Sequence, residues 1–351
     1  MSRSDSIPLD QLYQYYLDPA LIAKAPARPR DHSRLLIYNA ASNDIVLDQF
    51  YNLPKYLPKN SFLVMNETKV LPARFKAKRE NGEEVELLIF PHANEVSELK
   101  ELKSTANKRL RNGQKIFLTP KHLLEVIEDT EKAFTFKAHF DLAELPALLL
   151  KHGETPLPHY IQGNLSEKAL RKKYQTVFAK NAGAVAAPTA ALHFTNRVFK
   201  KLEKAGVPQS RLTLHIGLGT FAPVLPEHLE SKTLYEENYE IRPEEVWEIE
   251  QAKLDGLKCT AVGTTTVRTL ESFARNRKNS GQTNLFIFPP FEFQMVDQLL
   301  TNFHLPESSL MMLVEAFLQH KGAKRHLKEL YAFAIKEQFR FYSFGDSMLI
   351  V

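Results

Sequence analysis

The chain has 351 residues and a single cysteine, Cys259, so no disulfide can form within it. That fits a reducing compartment and points to the cytoplasm. No stretch approaches the roughly 18 consecutive apolar residues of a membrane helix, and Met1-Ser-Arg-Ser-Asp-Ser lacks the apolar core of a secretory leader. Neither membrane attachment nor export is expected. The histidines lack HExxH spacing, and one cysteine excludes thiolate-rich zinc patterns, so no metal site is expected. There is no GxSxG elbow, no GxGxxG and no P-loop, which sets aside an α/β-hydrolase and the standard nucleotide folds. Charge of one sign is scarce as well. Lys plus Arg number 46 against 41 Asp plus Glu, a surplus of +5 that does not by itself point to nucleic acid.

What is present is an ordinary globular composition, 44% hydrophobic and 25% charged, in a length that suits roughly two domains. A monomer is expected. Arg34 to Tyr38 and Phe62 to Met65 are apolar runs of strand length. Between about Val70 and Phe140 the texture becomes short alternating stretches (Ala73 to Arg79, Glu84 to Phe90, Gln114 to Leu118, Ala133 to Phe140) cut by Asn81-Gly82, Asn112-Gly113 and prolines. Closely spaced strands of this kind form a small β-rich module, with a hairpin at Asn81-Gly82. From about Pro156 helices and strands alternate. Thr195 caps a helix closed by Gly206, with Phe194 and Phe199 at staple positions. Pro243 starts a second helix, Cys259 to Val262 forms a strand, a third helix follows Gly263, and two more cover roughly 308–319 and 324–338. The expected fold class is an α/β main domain with a mixed, largely parallel sheet.

Five segments place polar residues at the edge of apolar runs: GAVAAPTAALHF (Gly183 to Phe194), LTLHIGLGTF (Leu212 to Phe221), AVGTTTVRTLES (Ala261 to Ser272), TNFHLP (Thr301 to Pro306) and FYSFGDSMLI (Phe341 to Ile350). Strand ends and loops are where a scaffold presents side chains to ligand, so the five edges are expected to build one composite pocket. Gly263-Thr264-Thr265-Thr266 between strand and helix either holds a carboxylate or phosphate at the helix N-terminus or only caps the helix. Arg268 and Glu271 share a helix face, as an ion pair or as pocket groups. Gly217 and Gly219 leave a flat backbone wall or make a bulge, and His215 between Leu214 and Ile216 is either a core histidine or a site residue. His193, Asn302, His304 and Asp346 stand beside small or apolar neighbours in the same way.

In this order the five segments resemble the S-adenosylmethionine:tRNA ribosyltransferase-isomerase family of queuosine synthesis. Earlier stretches agree: Leu21 to Pro26 with Arg30 and Ser33 to Leu36, Asn66 to Val70 with Pro72-Ala-Arg74, Pro156 to Ile161, and Tyr174 to Val177. The resemblance implies an α/β domain over 1–68 and 154–351 with a β-barrel domain inserted over 69–153. It also implies S-adenosylmethionine consumed as a ribosyl donor, with no retained cofactor. The acceptor is a tRNA with a GUN anticodon carrying 7-aminomethyl-7-deazaguanine at the wobble position, and the product is epoxyqueuosine-tRNA with release of adenine and methionine. Removal of a proton beside the sulfonium needs a base, for which His215 and His304 are the candidates, with Asp346 or Glu271 as acid. Asn66, Thr189, His193, Gly217, Gly219, Thr264, Thr265, Thr266, Arg268 and Asn302 are the substrate-binding candidates. The chain departs from the family pattern at Glu67, where an aspartate is usual, in Thr105 to Leu110, and at Lys232 and Tyr235, which replace the two histidines of an HxMHSE pattern whose last residue persists as Glu237. A divergent paralogue that binds tRNA or an adenosyl ligand without this activity is the alternative.

Overall fold

Successive side chains on a strand point to opposite faces, so a continuous apolar run must be covered on both. That is the arrangement in β1 (Arg34–Tyr38) and β3 (Ser61–Asn66). Leu36, Tyr38, Phe62 and Val64 enter one core, and Leu35, Ile37, Leu63 and Met65 enter another on the opposite side of the sheet. A computed structural model describes residues 13–91, 100–130, 133–158, 160–161, 165–217, 224 and 226–351. Among them, β1 and β3 belong to a nine-stranded sheet. Its remaining strands are β2 (Ile45–Gln49), β12 (Gln209–Leu214), β13 (Thr233–Glu240), β14 (Lys258–Val262), β15 (Ser280–Leu285), β16 (Gln298–Asn302) and β17 (Ser347–Ile350). The order across it is β15-β13-β12-β3-β14-β16-β17-β1-β2.

The sheet is mixed, but less parallel than expected. β12, β3, β14 and β16 form a parallel block and β17 pairs parallel with β1, giving four parallel ladders. The other four ladders are antiparallel: β1 with β2, β12 with β13, β13 with β15, and β16 with β17. The difference lies in β13 and β15, whose polar sequences carry no strand periodicity and which are strands because β12 and each other offer them a ladder.

The β-rich module is a closed barrel of six antiparallel strands, in the order β10-β7-β6-β5-β8-β9. They are β5 (Arg74–Arg79), β6 (Glu84–Phe90), β7 (Glu101–Ala106), β8 (Lys115–Thr119), β9 (His122–Asp129) and β10 (Phe134–Ala138). Phe75, Ala77, Val85, Leu87 and Ile89 alternate into its interior, and Leu145, Leu148 and Leu149 of the helix Leu145–His152 join the same core. Gly82, at φ 83°, supplies the left-handed residue that the β5–β6 hairpin needs. A parallel two-stranded ribbon of β4 (Thr68–Val70) and β11 (Asn181–Ala184) flanks the barrel in sequence.

The helices of the main domain follow their sequence marks. Asn196–Lys204 is capped by Thr195, whose hydroxyl accepts from Val198 N–H at 3.4 Å, and the Phe194 and Phe199 rings stack at 5.4 Å. Pro243–Leu254 starts on its proline. Ser308 caps Ser309–His320. The last helix, Leu327–Lys336, begins three residues later than expected because His326 is its cap and the Glu329 carboxylate accepts from His326 N–H at 2.8 Å. No helix among the described residues is long and apolar enough to cross a membrane.

Chain enters the barrel through Leu71 to Arg74 and leaves it through Gly153 and Glu154. The two passages are tied by Arg74 N–H to Glu154 C=O at 3.1 Å and Glu154 N–H to Arg74 C=O at 2.7 Å. A Cβ on Gly153 would stand 1.8 Å from the Pro72 carbonyl oxygen and 2.7 Å from that of Leu149. Both are backbone atoms that cannot turn aside, so Gly153→Ala is expected to lower stability by about 1–3 kcal/mol. Urea denaturation followed by far-UV dichroism reads this directly, and an unchanged midpoint would show that the joint opens without loss.

Candidate active site

Open α/β sheets hold ligands beyond the carboxyl ends of their parallel strands. Beyond the ends of β14 and β16 lies a cavity of about 300 Å³, and all five sequence segments reach its wall. They contribute Thr189, then Ile216, then Gly263, Thr264, Thr265 and Arg268, then Thr301, Asn302 and His304, and finally Tyr342 and Ser343. The expected composite pocket is therefore present as geometry.

Gly263 adopts φ 88°, which lets β14 turn at once into the helix Thr264–Asn276. No side chain caps that helix start, so its first N–H groups and the positive end of its dipole face the cavity. Val262 pairs in register with Leu300, and Gly263 N–H donates to Leu300 C=O at 2.8 Å, so the helix start and the Thr301-Asn302 strand end are neighbours. Asn302 is buried. Its Nδ2 donates towards His193 Nε2 and Asp346 C=O, both at 3.3 Å, while its Oδ1 has no hydrogen-bond partner. A buried acceptor without a donor in a cavity wall is a demand for one from a ligand or water.

Several candidates stand behind the wall. Thr266 Oγ1 donates to Val262 C=O at 2.8 Å and does not line the cavity. Asn66 is wholly engaged: Nδ2 donates to Leu214 C=O at 2.9 Å and Thr265 Oγ1 at 3.2 Å, and Oδ1 accepts from the N–H groups of Leu214 and Thr68. It fixes Thr265. Neighbouring Glu67 accepts from Asn181 and lies 3.8 Å from Arg242. His193 Nδ1 meets Ser33 Oγ at 2.8 Å, and burial pushes its pKa down to about 4. Asp346 accepts from the N–H groups of Arg34 and Arg340 and pairs with the Arg340 guanidinium at 2.8 Å, tying the C-terminal turn to β1.

Arg268 and Glu271 are not a pair. Arg268 turns to Glu237 of β13, in a buried ion pair, and donates to Leu285 C=O at 3.0 Å. Its charge is thus already answered, although Arg268 also lines the cavity. Glu271, fully buried, accepts from the N–H groups of Gln294, Met295 and Val296 and pairs with Arg275 at 2.7 Å. It holds a turn in place and does not line the cavity, so it is not placed to be an acid there. Of the two candidate bases, only His304 does. Its Nε2 meets Thr301 Oγ1 at 2.8 Å, its backbone N–H donates to Tyr331 Oη at 2.8 Å, and burial pushes its pKa down to about 3. His215, with Nδ1 at 2.8 Å from Thr68 Oγ1, and Gly217 line a second, adjoining cavity. Gly219 lies outside the described residues.

Residues that sequence reasoning had not placed in the pocket complete it. Tyr160 and Tyr342 pack with ring centroids 4.8 Å apart, and Tyr160 Oη lies 2.8 Å from Ser343 Oγ. Glu237 and Tyr235 come from β13. Glu237 was marked only as the last survivor of a family pattern, and nothing in its polar surroundings signalled burial.

Two buried neutral histidines give the fold an acid limit. Unfolded, each binds a proton near pH 6.5; folded, His193 does so only near 4 and His304 near 3. Between those values the unfolded chain carries more protons, so stability is unaffected by them above about pH 6.5 and falls as pH drops below it. The slope from each is expected to reach about 1.4 kcal/mol per pH unit. Denaturant midpoints measured from pH 7 to pH 4.5 check this, and His193→Gln should flatten the slope.

Comparison with known proteins shows the family. A family profile described as "Queuosine biosynthesis protein" matches residues 10–350. The S-adenosylmethionine:tRNA ribosyltransferase-isomerase of Rubrobacter xylanophilus is 42% identical over 337 residues, covering 96% of each chain. That of Carboxydothermus hydrogenoformans is 41% identical, covering 97% of this chain and 98% of its own. The crystal structure of a Thermotoga maritima S-adenosylmethionine tRNA ribosyltransferase superposes with a TM-score of 0.54 at 31% identity, covering 97% of this chain and 99% of that one. The chain belongs to the queuosine biosynthesis protein family, with the α/β sheet and inserted barrel that its sequence announced.

Proposed function

We propose that this protein is an S-adenosylmethionine:tRNA ribosyltransferase-isomerase. It transfers the ribosyl unit of S-adenosylmethionine to the aminomethyl group of 7-aminomethyl-7-deazaguanine at the wobble position of a GUN-anticodon tRNA. Adenine and methionine leave, and epoxyqueuosine-tRNA is the product. S-adenosylmethionine is a consumed substrate in this reading, not a retained cofactor. The carrying observation is the pairing, in one cavity, of a helix N-terminus without a side-chain cap and the partnerless Asn302 Oδ1. The methionyl end of the donor offers both complements, a carboxylate for the helix start with the Thr264 and Thr265 hydroxyls, and an ammonium for Asn302. Because β14 and β16 are adjacent strands, the two complements sit side by side, as they do in an amino acid. The Tyr160–Tyr342 pair supplies an aromatic wall for adenine.

His304 is the base in this reading. Its depressed pKa keeps the imidazole unprotonated at neutral pH, the form that accepts a proton. Thr301 Oγ1 fixes the ring.

Purified protein incubated with S-adenosylmethionine and tRNA carrying the aminomethyl base should release adenine and raise the mass of the tRNA; absence of both would sink the reading. His304→Gln is expected to lower kcat by about 10²–10⁴-fold with little change in KM for S-adenosylmethionine. Asn302→Ala should instead raise that KM by about tenfold, the effect of one hydrogen bond to a charged group. Equal loss of kcat in both variants would remove the division of roles.

A further inference from the structure

The second cavity, of about 220 Å³, lies where the barrel meets the sheet. Phe90, Pro91 and Lys103 of the barrel form one side, and His215, Gly217 and the β13 residues Tyr235 to Asn238 form the other. Ile216, Tyr235 and Glu237 line both this cavity and the larger one, so the two are separated by a single layer of side chains. Ligand sites concentrate at domain junctions, and pockets for drug-sized ligands run from roughly 300 to 1,000 Å³. At 220 Å³ this one suits a single flat ring system and is too small for a whole nucleoside with a long tail.

Its surfaces carry the same message. Gly183 and Gly217 present bare backbone, and a Cβ on Gly217 would meet no described residue within 4 Å, so none of the described residues fills the space in front of it. Val185 and Ile216 are apolar and buried. The polar lining is of both kinds: Lys103, His215, Asn238 and Gln282 stand around the same space as the exposed Glu236 carboxylate and Glu237. Glu237 accepts from Gly217 N–H at 3.1 Å through one oxygen and from Arg268 through the other. A carboxylate has about four acceptor positions, so both oxygens retain capacity.

We infer that this second cavity is the seat of the acceptor base: a planar, nucleobase-like heterocycle bearing a primary amine, extruded from its strand, with the amine directed at the Glu237 partition. The inference rests on the ribosyl-transfer reading, because a two-substrate transfer needs two seats that touch, with the reacting atoms brought to about 3–3.5 Å. Glu237 then serves both sides. It holds Arg268 in the donor cavity and orients the amine from the acceptor cavity. Extrusion of the base explains why the pocket lies in a cleft between domains and not on an open face.

The test uses the full-length protein and the free base 7-aminomethyl-7-deazaguanine as probe. Calorimetric titration should show the base and S-adenosylmethionine binding together, neither displacing the other. Gly217→Val, which fills the open space, should abolish binding of the base and lower kcat/KM for the tRNA at least 100-fold, while the affinity for S-adenosylmethionine stays within about twofold. Gln282→Ala changes an exposed side chain that folding does not need, and it should raise KM for the tRNA several-fold with KM for S-adenosylmethionine unmoved. Mutual displacement of the two ligands overturns the proposal, and so does undiminished binding of the base to Gly217→Val. If the wild-type protein releases no adenine, the ribosyl-transfer reading fails on its own, and the titrations with the base still decide the pocket.

Discussion

The buried ion pair between Arg268 and Glu237 is the contact on which both cavities depend. Arg268 rises from the helix that starts at the end of β14, and Glu237 lies on β13, two strands beyond β3 in the sheet. Two desolvated charges stabilise a fold only when hydrogen bonds answer their remaining positions. Here they are answered: Arg268 also donates to Leu285 and Thr283 carbonyls on β15, and Glu237 also accepts from Gly217 after β12. One pair thereby ties the helix, β13, β15 and the loop after β12 into a single unit. β13 and β15 have little apolar periodicity to hold them at the sheet edge, so this polar unit does for the edge what side-chain packing does for the centre. The main cavity lies on one side of it, and the barrel-facing cavity on the other.

The charge state of the main cavity follows from the same pair. Arg268 and Glu237 cancel, and His304 is kept neutral by burial. What remains is directional polarity: helix N–H groups and threonine hydroxyls at one point and the Asn302 carbonyl oxygen beside it. Such a site distinguishes ligands by where their charges lie more than by their total charge. It favours a zwitterionic end over a phosphate, which would find donors at the helix start and an acceptor next to them. This is a physical reason to prefer an amino-acid-bearing donor to a nucleotide, independent of family membership.

Much of this was legible in the sequence, and the reasons are specific. The cap at Thr195, the glycine at 263 and the Asn81-Gly82 hairpin are local signals whose meaning survives folding. The five motif segments converge because each sits at the end of an apolar strand or helix. What the sequence could not reveal was direction. Arg268 and Glu271 are three apart, yet they diverge because Glu237 and the Gln294–Val296 backbone pull them to different partners. Asp346, Asn66 and His193 look like site residues for the same reason that they are not in the wall: a buried polar group must be satisfied, and its partners were distant in sequence. Glu237 was hidden by the opposite effect, a buried carboxylate within a polar strand.

The inserted barrel takes its meaning from this arrangement. Its own core closes on Phe75, Leu87, Ile116 and Phe136 without help from the sheet, so the main domain is not needed to give the barrel an interior. What joins them is the short double passage at Arg74 and Glu154, where backbone hydrogen bonds and the absence of a side chain at Gly153 set the approach. A joint made of backbone leaves little rotational freedom, and the barrel rim at Phe90, Pro91 and Lys103 lines the second cavity together with β13. An acceptor as large as a tRNA cannot enter a cavity within one domain, but it can present a single base to a cleft between two. The barrel therefore makes the cleft, and the Arg268–Glu237 unit makes the wall between its two cavities.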